Sequence, residues 1–176
     1  MLAAGVYVIV FRIIHIMAGI AWGGSVFLFA VFIQPSVAAI APAGAPFMGE
    51  LLVKRKFVDR LIALGGTTVI GGLFLYWHDW HEFGSWGTWI GSRFGVTMTI
   101  GAVLAIVALG TGIFGTRPNV ARLLSLGRQA AEAGGPPPPE LAAEIGRTQN
   151  RLKILGRTGF GLIALAALAM SIARYL

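Results

Sequence analysis

The sequence contains no cysteine, which excludes disulfides, thiolate metal sites and thiol redox chemistry in any compartment. Charge is also scarce: Asp, Glu, Lys and Arg make up 12% of the 176 residues, against about 25% in an ordinary soluble domain. So little charge excludes a disordered chain and a basic nucleic-acid-binding module, both of which need a charged surface; no nucleic-acid partner is expected. Acids number only 7, and none falls inside a long apolar run. No acidic pathway therefore crosses an apolar core, which argues against a transporter. What the chain has in excess is hydrophobic residues, 56%, together with a net charge of +7.

The apolar residues fall into four runs long enough to cross about 30 Å of hydrocarbon, the last with help from its flanks. They are Ile13–Ile33, ending at Gln34-Pro35; Leu61 to about Trp77; Phe94–Thr116, which is uncharged; and the shorter Thr158–Ala173, bracketed by Arg157 and Arg174, whose side chains snorkel. The fold expected is all-α: a single membrane domain over residues 1–176, an integral membrane four-helix bundle in contact with the lipid bilayer. Met1–Gly5 lacks a basic signal-peptide start, so the first run is expected to remain as a mature helix that begins before Ile13. Gly19 and Gly23, the Gly65-Gly66 and Gly71-Gly72 pairs, and the alanines of the last run suit close helix packing.

Positive charge orients the bundle. The first connection carries Lys54, Arg55, Lys56 and Arg60 against Glu50 and Asp59, a net +2, and residues 117–157 carry +4. Residues 78–93 carry −1 and hold Trp80, Trp86 and Trp89, which suit an interfacial aromatic belt. Both termini and this tryptophan loop are therefore expected outside a bacterial-type cytoplasmic (inner) membrane. In residues 117–157, Leu141, Ile145, Leu152 and Leu155 form one helical stripe, and Leu123, Leu124 and Leu126 form another after Pro118. Gly134-Gly135 and the prolines 136–139 separate them. A cytoplasmic helical hairpin is expected between helices three and four. It serves either as a solvated stiffener or as a docking surface for another subunit or anionic headgroups.

Candidate chemistry is confined to few side chains, among them the only three histidines. Ionisable residues within a membrane are functional candidates by default. Arg12, His15, Gly19 and Trp22 are spaced 3, 4 and 3 apart and share a helix face. Helical rise puts His15 about 30 Å and His78 about 25 Å from the cytoplasmic end, with Met98, Met170 and Arg174 at a comparable depth. Neutral imidazole ligates haem iron or copper, thioethers favour Cu(I), and arginine pairs with a haem propionate. The metal-ligand candidates are therefore His15, His78, His81, Met98 and Met170, and Arg12, Arg174 and Trp22 join His15 and His78 as cofactor-binding candidates. The structural alternative has His15 hydrogen-bonding a neighbouring helix, His78 and His81 in a wet loop, and the arginines snorkelling.

The segment His15–Gly24, with His-x6-Trp-x-Gly and a following Pro35, resembles the first helix of the CopD-like membrane proteins. These include copper-resistance D proteins, related four-helix families and, more distantly, HemJ-type protoporphyrinogen oxidases. It is also similar to the start of the membrane domain of bacterial cytochrome-linked urate oxidases, and Met170–Leu176 resembles the close of some of the four-helix families. The resemblance implies a four-helix bundle with His15 as the first-helix haem or metal ligand. HemJ-type proteins are expected to carry a lysine in a later helix, whereas Lys54, Lys56 and Lys153 all lie in connections, which argues against that oxidase activity. No Met- or His-rich tract supports bulk copper traffic. The expectation is a redox or metal-associated protein holding b-type haem or copper near the outer face, for electron transfer or cofactor handling, with no catalytic residue assigned. Its alternative is a cofactor-free accessory or scaffold subunit of a larger membrane complex. Membrane-protein partners or self-association are expected in either case.

Overall fold

The structure, a computed structural model, describes residues 2–41 and 43–176. Helix α1 (Leu2–Leu28) runs through a π-helical turn, Phe29–Ile33, into α2 (Gln34–Ala39). The expected stop at Gln34-Pro35 is therefore not a stop. In the wide turn the Gln34 N–H bonds the Phe29 carbonyl, five residues back, which carries the helix past a proline that would collide with the carbonyl four back. After α3 (Ala45–Gly49) a second π-helical turn spans Glu50–Lys54. Lys56 then takes a left-handed conformation, φ 47°, and α4 (Phe57–Glu82) begins.

Beyond α4 come a short α5 (Trp86–Gly91) and α6 (Arg93–Gly110), which passes through a third π-helical turn, Thr111–Thr116, into α7 (Arg117–Glu132). The device used at Pro35 recurs ahead of Pro118: the Arg117 N–H bonds the Gly112 carbonyl. Finally α8 (Pro139–Ala173) is a single 35-residue helix. The change from polar to apolar near Thr158 is thus a change of surroundings within one helix.

Four helical stretches are long and apolar enough to cross a membrane: Gly5–Ala39, Phe57–Glu82, Arg93–Glu132 and Pro139–Ala173. The main pairs are α1 with α4 and α6 with α8; α4 against α6 and α1 against α8 close the square. All four neighbours are antiparallel. Trp22, Gly19 and His15 of α1 meet Gly65, Thr68 and Gly71 of α4 in reverse order, and Gly101 and Gly115 meet Met170 and Leu155.

Side-chain size explains the packing. The buried apolar set includes Ala18, Ala30, Ala108, Ala166 and Ala173, while large residues such as Ile20, Ile70 and Phe114 face outward, Phe114 with 82% exposure. Small residues inside let backbones approach, and large apolar ones outside suit hydrocarbon, where burial supplies no drive for helix association. The chain is a multi-pass membrane protein with an apolar, lipid-contacting surface. At one end α7 packs along the first half of α8. Leu126, Thr148 and Leu152 are buried there, and Arg122 bonds Glu144 at 2.6 Å.

Candidate functional site

His15 lies in the α1–α4 seam. A carbonyl oxygen can only accept, so the 2.7 Å contact from His15 Nδ1 to the Thr68 carbonyl fixes Nδ1 as the donor. In the neutral ring the lone pair then resides on Nε2. The approach depends on Gly72: a Cβ there would stand 2.8 Å from His15 Cε1 and 2.9 Å from Nδ1. A Cβ at Gly71 would meet the His15 Cβ and backbone at ordinary contact distance. Thr68 is buried, and its hydroxyl bonds back to the Leu64 carbonyl at 2.8 Å. The half-buried imidazole is therefore held by one backbone acceptor and a glycine-lined wall.

The other candidates occupy several places. His78 and His81 lie on the last turns of α4, so the expected loop begins only after Glu82. His15 faces Gly71 and Gly72, which leaves His78 six residues, or about 9 Å, further out. The similar depth expected from counting to the helix ends is corrected accordingly: α1 and α4 are offset by their packing register, which a count from each end cannot supply. The His78 Nδ1 is 3.4 Å from the Asp79 carboxylate. Exposed His81 donates from Nδ1 to the Trp77 carbonyl at 2.8 Å, with its ring beside Trp77 and Trp80.

Across the bundle, Met170 packs its Cγ and Cε against Gly101 of α6. The α1–α8 contacts, Gly23 with Ile163 and Phe27 with Phe160, set Met170 level with Ile16, close to the depth of His15. Met98 is half-buried on α6, one turn outward of Gly101. Arg12 is exposed one turn outward of His15. Arg174, also exposed, is one turn outward of Met170 with its guanidinium 5.5 Å from the Tyr175 ring centre. Trp22 lies two turns inward of His15, packed against Gly65 near Leu109. Its surroundings are those of a core residue. Among the described residues no three His, Asp or Glu side chains group as a metal site.

As a test of fit for haem or copper, His15 meets the requirement for one nitrogen ligand: Nδ1 is oriented by a carbonyl, and Nε2 is free of any hydrogen bond among the described residues. Met170 shares its depth, whereas His78 and His81 do not. Arg12 and Arg174 stand one turn outside, where cations suit carboxylates.

A second polar assembly centres on Trp89, expected in an interfacial belt but fully buried on α5. Fully buried Trp89 donates from Nε1 to the Tyr76 hydroxyl at 2.8 Å, and that hydroxyl lies 2.8 Å from Thr99 Oγ1. Thr99 donates to the Gly95 carbonyl at 2.7 Å, so the direction is settled: indole to phenol to hydroxyl to backbone. Phe83, Phe94 and Tyr76 meet the indole edge-on. A Cβ at Gly95 would strike the Trp89 carbonyl. With every group satisfied, this assembly ties α4, α5 and α6 together at the histidine end. Comparison with known protein families, curated proteins and solved structures gives no match to this chain.

Proposed function

We propose that the protein is a membrane redox or cofactor-handling protein that holds b-type haem or copper through His15. The observation that carries this reading is the bond from His15 Nδ1 to the Thr68 carbonyl, which leaves Nε2 as an oriented ligand atom. Such a bond fixes ring orientation and raises the basicity of the ligating nitrogen. Met170, level with His15, is the preferred second ligand over His78. When bound, the group supplies one-electron chemistry. The chain's part would be to hold it at the level shared by His15 and Met170, and to offer Arg12 and Arg174 to propionates or other carboxylates.

The membrane is the bacterial-type cytoplasmic membrane, with both termini and Trp89 outside. On this reading α7 and the first half of α8 form a cytoplasmic hairpin. The basic residues of the opposite end, from Lys54 to Arg60 and from Arg117 to Arg157, support that orientation.

A cofactor-free accessory subunit is the second reading. It is favoured by His81 and Trp22 lying away from His15, and by the carbonyl partner that already satisfies one side of its ring. Haem and copper content of the detergent-purified chain separates the two. A stoichiometric group in wild type that falls at least tenfold in His15→Ala supports the first. A chain free of both groups that co-purifies with membrane subunits in fixed ratio supports the second.

A further inference from the structure

Two open grooves adjoin along α7 and α8; they share Asn119 and Arg151 but differ in charge. One, about 620 Å³, contains Arg122 already neutralised by Glu144. The other, about 550 Å³, contains no acid: Gly115, Ile154 and Leu155 line one part, and Asn119, Arg147, Asn150 and Arg151 the rest. Neither Arg147 nor Arg151 pairs with an acid among the described residues, whereas Arg117 and Arg122 pair with Asp59 and Glu144. Four residues apart, the two free guanidinium groups share a face of α8.

The polarity of this groove has a direction. Its apolar part includes Gly115, the chain neighbour of Phe114, which is 82% exposed on the apolar outer surface. Arg151 is four residues beyond Leu155, about 6 Å along the helix, comparable to the roughly 5–8 Å headgroup layer of one leaflet. We propose that this groove binds one anionic phospholipid, its phosphate between Arg147 and Arg151 and the upper part of its acyl chain along Ile154 and Leu155. Guanidinium groups suit phosphate oxygens through paired N–H donors, and the Asn150 side chain adds polar capacity at the same level. A soluble anion would use the arginines alone; the adjoining apolar floor favours a lipid.

Native mass spectrometry of the full chain in detergent tests this with dioleoyl phosphatidylglycerol and dioleoyl phosphatidylcholine, which share acyl chains. Wild type is expected to retain one phosphatidylglycerol under conditions that strip phosphatidylcholine, a comparison that needs no variant. Arg147→Gln with Arg151→Gln is expected to lower retention about tenfold or more. Arg128→Gln with Lys153→Gln, which removes the same charge elsewhere, is expected to keep it. Both pairs are exposed, and unchanged helicity and elution volume verify folding. Equal retention of the two lipids by wild type, equal loss in the two double variants, or displacement by millimolar glycerophosphoglycerol would each overturn the proposal.

Discussion

The ring of His15 lies so close to Gly72 that a single added carbon at position 72 would sit 2.8 Å from Cε1. Gly66, on the same helix, has open space where its Cβ would be. Gly72→Ala is therefore expected to displace the imidazole and weaken its bond to Thr68, destabilising the bundle by about 1–3 kcal/mol as overpacking does. Gly66→Ala should be neutral or slightly stabilising through helix propensity. Thermal unfolding of the two variants in one detergent checks the contrast, and equal effects would contradict the close approach.

Replacing His15 by Leu removes the hydrogen bond to the Thr68 carbonyl while largely keeping apolar volume. Interhelical hydrogen bonds in membrane bundles contribute about 0.6–2 kcal/mol, so the expected loss is of that order. A folded, modestly destabilised His15→Leu chain separates the packing role of this residue from any ligand role. Reversible unfolding in mixed micelles gives the value.

Trp89 supplies the third contrast. Tyr76→Phe leaves a fully buried indole N–H without its acceptor and Thr99 without its phenol partner. An orphaned buried donor costs about 1–3 kcal/mol. Thr97→Ala, which removes a hydroxyl bonded only to its own helix at the Arg93 carbonyl, should change stability by less than about 0.5 kcal/mol. Indole fluorescence during unfolding reports on both.

The proposed orientation is tested at Ser85, exposed in the turn between α4 and α5. The chain has no native cysteine, so Ser85→Cys introduces a unique thiol. A membrane-impermeant maleimide should label it from outside intact spheroplasts. Labelling only after lysis would place the histidine end in the cytoplasm.

Much of this architecture can be read directly from residue order. Hydropathy marks four spans because lipid tolerates long apolar helices, and the stripe Leu141, Ile145, Leu152 and Leu155 shows through spacing alone. Helix continuity through Pro35 and Pro118 is not legible, since a π-helical turn depends on local backbone hydrogen bonding that no residue type announces. The relative depth of His15 and His78 was hidden for another reason: it is set by how Gly71 and Gly72 seat against α1. His15 itself stands out as a rare ionisable residue in an apolar run. Its partner does not, because every residue carries a carbonyl and only packing selects that of Thr68. The Trp89–Tyr76–Thr99 assembly likewise joins positions from three helices that have no common spacing.

The central claim is that His15 Nε2 ligates a redox group, and the most direct measurement is the dithionite-reduced minus oxidised absorption spectrum of the purified chain, taken alongside elemental copper content. The account predicts a sharp reduced α-band with a Soret maximum, or stoichiometric copper, present in wild type and lost in folded His15→Leu. No Soret absorption together with no copper in wild type, or a signal unchanged by His15→Leu, would contradict it.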